Sequence, residues 1–178
     1  MLNKTNKNFF QSCKRVIFMV IALFIAAFIT RIPAINFPYI YALHGVLAAP
    51  FFSAVAIINL KKANPFWEYA VSVLLLAGAL GSMSMVMGLS FVLVAFIYML
   101  FCLISFVVIS KTNHLLSGCI IGLFCYLSAV LVGVIFGSFA ISFSNLPQVL
   151  LLTISSGLLG LLGAKLVAVF YSQTPRSL

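Results

Sequence analysis

Residues 66–110 constrain this chain more than any other part of it, because the segment is 45 residues long and Glu68 is its one charged residue. As a single helix it would measure roughly 68 Å, about twice the hydrocarbon thickness of a bilayer. One crossing cannot use that length, so we expect the segment to enter the membrane, turn and come back. The sequence therefore predicts a protein that crosses the membrane several times.

The composition agrees with a membrane environment. Apolar residues make up 65% of the chain and charged residues 6%, and the mean hydropathy is +1.29. A soluble domain carries about a quarter charged residues, since its surface has to face water. In a soluble protein the net charge of +9 would suggest nucleic acid. Here the predicted surroundings are lipid, and no nucleic-acid partner is expected.

Charges, prolines and short polar clusters divide the chain into six predicted spans. Their approximate bounds are residues 16–34, 39–60, 66–89, 90–110, 115–137 and 146–170. The turn between the third and fourth spans is placed at Met87-Gly88-Leu89-Ser90. We expect an all-α membrane protein, a compact bundle of six transmembrane helices forming one integral domain over residues 1–178.

The basic residues predict the orientation. With six crossings, eight of them fall on one side of the membrane and Arg31 lies near the other. The eight are Lys4, Lys7, Lys14, Arg15, Lys61, Lys62, Lys111 and Arg176. Lysine and arginine accumulate on the cytoplasmic side of membrane proteins, so both termini are predicted to be cytoplasmic, in a bacterial plasma membrane. Five or seven spans would scatter these charges over both faces.

The sequence lacks the residues that several kinds of intramembrane catalysis require. A zinc protease needs two histidines one helical turn apart, whereas His44 and His114 are 70 positions apart and predicted on opposite faces. Carboxylate chemistry needs two acids, and the chain has one. Gly88-Leu89-Ser90 lacks the glycine that would follow a nucleophilic serine. The four cysteines form no CxxC pair, and phosphate-binding motifs are absent. No enzymatic activity, metal or cofactor is predicted.

Two ionisable residues lie inside predicted spans. Glu68 is expected to be an interfacial carboxylate near Lys61 or Lys62, with a proton relay as the alternative. Lys165 is close enough to the cytoplasmic end of the last span for its stem to reach water. The deep membrane carries no other charge, which argues against an ion-driven carrier working alone.

Polar and aromatic residues gather at the outer ends of the predicted spans. The candidate substrate-binding residues are Arg31, Asn36, Tyr39, Tyr41, His44, Ser84, Asn145 and Gln148. They predict an outward-facing pocket with apolar walls and a polar rim, suited to a small, flat, neutral or anionic heterocycle. The alternative is the ordinary polarity of loops and helix ends at a membrane surface.

Small residues recur at four-residue spacing, just over one helical turn. The pairs are Ala22/Ala26, Ala77/Gly81, Gly118/Gly122, Gly133/Gly137 and Gly160/Ala164. Each pair forms a notch that lets another helix approach closely, and most are expected to pack within this chain's own bundle.

The first span contains Ala22-Leu23-Phe24-Ile25-Ala26, and the second contains Leu43-His44-Gly45-Val46-Leu47-Ala48-Ala49-Pro50. With six short-looped spans and a basic N-terminus, the chain resembles an S component of energy-coupling factor transporters. These are small substrate-binding membrane proteins for vitamins and related micronutrients. The resemblance implies that Ala22 and Ala26 dock on a transmembrane coupling subunit.

The resemblance also implies a mechanism. The chain would capture a vitamin-like solute at the outer face, with residues 31–38 as part of a lid, and would then reorient against the coupling subunit. Two cytoplasmic ATPases would supply the energy. Two other classes stay open: a membrane scaffold or assembly protein without a ligand, and a self-sufficient permease or channel that oligomerises through its glycine notches.

Overall fold

The structure is a computed structural model that describes residues 4–37, 40, 42–62, 64–82, 85–109 and 113–173. Its six helices are α1 (Lys4–Asn36), α2 (Leu43–Lys61), α3 (Phe66–Gly81), α4 (Met85–Ile104), α5 (His114–Ile135) and α6 (Leu146–Gln173). A short π-helical segment, Ser105–Ile109, continues α4. These ranges contain no strand, so the prediction of an all-α chain with six helices is confirmed.

Five of the six helices are long and apolar enough to cross a membrane: α1, α2, α4, α5 and α6. The remaining helix, α3, is equally apolar but has 16 residues. Large apolar side chains cover the outside of the bundle, and Phe18 and Phe170 are 74% and 69% exposed. So much exposed apolar surface is unfavourable in water. It suits a bundle whose outer surface faces the hydrocarbon core of a membrane. The chain is therefore a multi-pass membrane protein.

The turn between α3 and α4 lies earlier than the sequence predicts. Residues 87–90, where it was expected, are inside α4. Instead, α3 ends at Gly81, where the Ser82 amide donates to the Gly78 carbonyl (3.0 Å) and the Ser82 hydroxyl to the Ala79 carbonyl (2.8 Å). Serine competes for backbone hydrogen bonds and so favours helix ends.

Helices α5 and α6 touch backbone to backbone at their glycines. A Cβ atom at Gly118 would overlap the Ala164 side chain, and one at Gly122 would overlap the Ser156 carbonyl oxygen. A Cβ atom at Gly160 would meet both the Gly118 carbonyl and the Gly122 Cα. Missing side chains let membrane helices approach closely and gain dispersion energy. Two of the predicted small-residue pairs, on α5 and α6, thus pack within the chain.

Two serines bond these close helices together. The Ser156 hydroxyl donates to the Gly122 carbonyl (2.6 Å), so it joins α6 to α5. The Ser53 hydroxyl donates to the Gly118 carbonyl (3.0 Å) and brings α2 into the same contact. Both serines are fully buried. Since lipid offers no competing partner, each hydroxyl has a stable bond only inside the protein. The result is a close-packed trio of α2, α5 and α6.

Large side chains fill the other half of the bundle. The core between α1, α3 and α4 contains Leu23, Tyr69 and Tyr98, all buried, and reaches Ile121 on α5. The two tyrosine hydroxyls lie 2.8 Å apart, and Tyr69 also donates to the Phe52 carbonyl (3.3 Å). Buried phenols of this kind are stable only when hydrogen-bonded, so the pair fixes how α2, α3 and α4 meet.

One predicted pair does not form a notch. Gly133 is buried on α5, but Gly137 lies beyond the end of that helix with a backbone φ of 66°. A Cβ atom there would touch nothing, so Gly137 is present for its left-handed backbone, which ends α5 and starts the loop to α6.

Replacing Gly122 with alanine is expected to lower the free energy of unfolding by about 1–3 kcal/mol, because the new methyl group forces α5 away from α6. The matched control is Gly78→Ala on α3, where an added Cβ atom meets open space. Alanine is the better helix former, so this variant should be as stable as the wild type or more so. Thermal unfolding in detergent, followed by circular dichroism, checks both. Equal stability of the two variants would contradict the glycine contact.

Candidate functional site

The one carboxylate of the chain is held by an arginine. Arg15 on α1 donates from Nε to Glu68 Oε2 (2.7 Å) and from Nη2 to Glu68 Oε1 (2.6 Å). Nη2 also donates to the Ser12 hydroxyl (2.9 Å). The Glu68 side chain is 0% exposed and that of Arg15 is 36% exposed. This two-point geometry is the strongest that an arginine and a carboxylate form.

The sequence predicted Glu68 near Lys61 or Lys62, whereas its ion-pair partner is Arg15. Lys61 and Lys62 are near Glu68 in sequence, but Lys61 lies over the Tyr171 ring on α6 (5.2 Å to the centroid) and Lys62 is exposed. Arg15 is 53 positions away, and α1 reaches Glu68 because it packs alongside α3. The planar guanidinium matches both carboxylate oxygens, which a lysine ammonium does not.

The ion pair also fixes the relative height of α1 and α3. From Glu68, α3 continues to Gly81, about 20 Å at 1.5 Å per residue, whereas α1 continues from Arg15 to Asn36, about 32 Å. Beyond the ion pair, α3 thus has eight residues fewer than α1, about 12 Å of helix length. We call the end of the bundle opposite to Arg15 and Lys61 the distal end.

The structure brings two of the predicted site residues together at the distal end. Arg31 lies on the last turns of α1 and His44 in the first turn of α2, and both are exposed. Asn36 ends α1, also exposed, with its amide donating to the Ile32 carbonyl (3.5 Å). These three side chains lie where α1 ends and α2 begins.

The other predicted binding residues divide into two groups. Gln148 is exposed in the first turn of α6. Asn145 is used within its own loop, because its Oδ1 accepts from the Ser142 amide and its Nδ2 donates to the Ala140 carbonyl, both at 2.7 Å. Its amide therefore shapes the turn into α6. Tyr39, Tyr41 and Ser84 lie outside the described residues.

The predicted docking pair does not form an open notch on α1. Ala26 is 3% exposed and belongs to the face of α1 that packs on the chain's own bundle, whereas Ala22 is half-buried at the edge of that face. The side chains that point outward between them are Phe24 and Ile25. Docking through Ala22 and Ala26 stays a prediction, and a partner on this side would contact Ala22 and these two apolar neighbours first.

Sequence reasoning missed two buried polar groups. Among the described residues, the Ser128 hydroxyl and the Asn59 Oδ1 atom are buried without a hydrogen-bond partner. Ser128 is fully buried on α5, where a helical serine usually bonds the carbonyl four residues back. Asn59 donates from Nδ2 to the Pro65 carbonyl (3.5 Å). In the sequence, each of these residues is a single polar residue inside an apolar run. This pattern is so common in membrane helices that it does not identify a functional residue.

No protein-family model, curated protein or solved structure matches the chain. The four cysteines are free, and the described residues contain no cluster of histidine, cysteine and acidic side chains that could hold a metal ion. The arrangement that remains is a buried ion pair near one end and exposed polar side chains where α1 and α2 meet at the other.

Arg15→Ala and Glu68→Gln are expected to destabilise the protein unequally. Without Arg15, a fully buried carboxylate is left unpaired, which should cost about 3–5 kcal/mol. Without the Glu68 charge, Arg15 remains partly exposed and can still be solvated, so we expect a clearly smaller loss. Lys14→Ala, at the exposed neighbour, is the control. Thermal unfolding of the three variants measures their loss of stability. A larger loss for Glu68→Gln than for Arg15→Ala would contradict the conclusion that the carboxylate is the more deeply buried partner.

Proposed function

We propose that the chain is the solute-capturing membrane subunit of an energy-coupling factor importer for a vitamin-like micronutrient. It binds the solute at the outer face and then reorients against a coupling subunit driven by two cytoplasmic ATPases. The observation that carries the proposal is the shorter run of α3 beyond the ion pair, eight residues or about 12 Å less than that of α1. A small solute needs a concave space, and we place it beyond the end of α3.

The side chains at that space suit a small polar or anionic solute. Arg31 and His44 offer hydrogen-bond donors at the distal end, and Asn36 adds an amide. The walls are apolar helices, so polar contacts come from these few side chains. In such sites apolar walls supply binding energy, while a few polar groups fix orientation. The proposal places the distal end on the outer side of the membrane, with both termini in the cytoplasm.

The Arg15–Glu68 ion pair supports the proposal that partner subunits supply the energy for transport. A proton-coupled carrier places titratable groups on the transport path. The one carboxylate of this chain is instead buried against α1, near the end opposite to the proposed solute space. The sequence also carries no phosphate-binding motif. Energy for transport therefore comes from partners in this proposal, and the chain contributes recognition and reorientation.

The packing of α5 and α6 disfavours one alternative. A permease that oligomerises through its glycine notches needs those notches on its outer surface. Gly118, Gly122 and Gly160 are instead filled by the contact between α5 and α6. A second copy has no access to them without opening the bundle.

Substituting Arg31 and His44 together, as Arg31→Gln with His44→Ala, is expected to weaken solute retention at least tenfold, because a hydrogen bond to a charged group contributes about 1.5–3 kcal/mol. Lys165→Gln, a basic residue on α6 far from the distal end, is the control and should retain the solute. Native mass spectrometry of gently purified protein, comparing the mass of the bound solute, makes the measurement. Undiminished retention in the double variant would reject this site.

Ala22→Trp is expected to abolish co-purification of the chain with its coupling and ATPase subunits, because the indole would hold the partner helix away from α1. Ala22 is half-buried at the edge of the packed face, so the bundle itself should tolerate the change. Leu166→Trp, at an exposed position on α6, is the control. Affinity purification from native membranes followed by peptide mass spectrometry reads the result. Co-purification that survives Ala22→Trp would remove docking through this residue.

A further inference from the structure

The chain has almost no acidic groups to balance its basic ones. It contains ten lysines and arginines and one acidic residue, Glu68, giving a net charge of +9. Glu68 is 0% exposed, and both of its oxygens are bound by Arg15. No acidic side chain is therefore left for any of the other nine basic residues. Their charge has to be balanced by something outside this chain.

Contacts between helices bring several of these basic residues to one end of the bundle. The backbone amide of Glu68 donates to the Pro65 carbonyl (3.1 Å). The side-chain amide of Asn59 donates to the same oxygen (3.5 Å). Asn59 is followed by Lys61 and Lys62 within one helical turn, so these lysines lie close to the start of α3. Glu68 also binds Arg15 on α1, and Lys14 directly precedes Arg15 in the sequence. We call Lys14, Arg15, Lys61 and Lys62 the basic end.

Two lysines of the basic end, Lys14 and Lys61, lie over aromatic rings. The Lys14 ammonium is 4.8 Å from the centre of the Phe10 ring, and the Lys61 ammonium is 5.2 Å from that of Tyr171. Phe10 is 62% exposed. An ammonium beside an exposed ring suits the boundary between headgroups and acyl chains, where the ring enters the apolar layer and the charge meets the headgroup.

The length of α1 places Lys14 at that boundary. The helix has 33 residues and measures about 50 Å, while the hydrocarbon core is about 30 Å thick. The helix therefore exceeds the core by about 20 Å, and four of its five basic residues lie within its first twelve residues. Since charges avoid hydrocarbon, we expect these first turns to extend into the headgroup layer. Lys61 and Lys62 end α2, a candidate span, and so lie at the edge of the core as well.

We propose that the basic end binds the headgroups of anionic phospholipids, with Lys14, Lys61 and Lys62 as the phosphate-binding side chains. Clusters of basic residues next to a membrane span attract anionic lipids, each lysine contributing about a fivefold gain in binding. A free phosphate would satisfy the lysines alone, whereas a lipid also covers the exposed aromatic ring beside Lys14. The inference needs neither the proposed import function nor a particular orientation in the membrane.

The test uses the full chain in nanodiscs of phosphatidylcholine, with and without phosphatidylglycerol. Phosphatidylglycerol should raise the melting temperature of the wild type and remain bound in native mass spectra. The variant Lys14→Gln/Lys61→Gln/Lys62→Gln should lose most of both effects, and Lys62→Gln alone should retain about fivefold less lipid. Arg31→Gln removes one charge at the distal end and is the matched control, expected to keep lipid binding.

Two controls separate the possible outcomes. If inorganic phosphate in detergent stabilises the wild type as much as phosphatidylglycerol does, the site is an anion site and the lipid proposal is overturned. Equal lipid retention by Lys62→Gln and the wild type would also overturn it. The melting temperatures in phosphatidylcholine alone report folding, so a triple variant that fails to fold is recognised and the single Lys62→Gln variant then decides.

Discussion

The ion pair between Arg15 and Glu68 sets the arrangement of the first half of the bundle. It joins α1 to α3 by two short hydrogen bonds around a carboxylate that has no access to solvent. In a low-dielectric environment such a pair tolerates little displacement, because separating the charges leaves one of them buried and unpaired. The register of α3 against α1 follows from this one contact.

The two halves of the bundle are stabilised in different ways. Helices α2, α5 and α6 approach closely through glycines, and Ser53 and Ser156 donate to backbone carbonyls. Helices α1, α3 and α4 meet through large side chains, among them the bonded Tyr69 and Tyr98. Glycine contacts leave little freedom to shift, while interleaved side chains can adjust their rotamers.

The sequence predicted what depends on local composition and spacing. Six apolar helices follow from runs of uncharged residues, and the Gly118/Gly122 and Gly160/Ala164 notches follow from their four-residue spacing. The partner of Glu68 could not be predicted, because it depends on which helices lie side by side. Likewise, Asn145 resembled a solute contact until the structure showed both ends of its amide bonded within its own loop. Polar residues at helix ends hydrogen-bond to the backbone as readily as to a ligand. Sequence spacing alone does not distinguish these two roles.

At 16 residues, α3 is about 24 Å long, several ångströms short of an average hydrocarbon core. Its outward face includes Leu74 and Leu75, so lipid neighbours it directly. Acyl chains beside a short helix have to tilt or compress, which thins the bilayer locally at a modest elastic cost. That cost grows with the length of the acyl chains. The protein should consequently partition towards thinner regions of its membrane, and α3 gives it a preference for lipid thickness that the five longer helices do not.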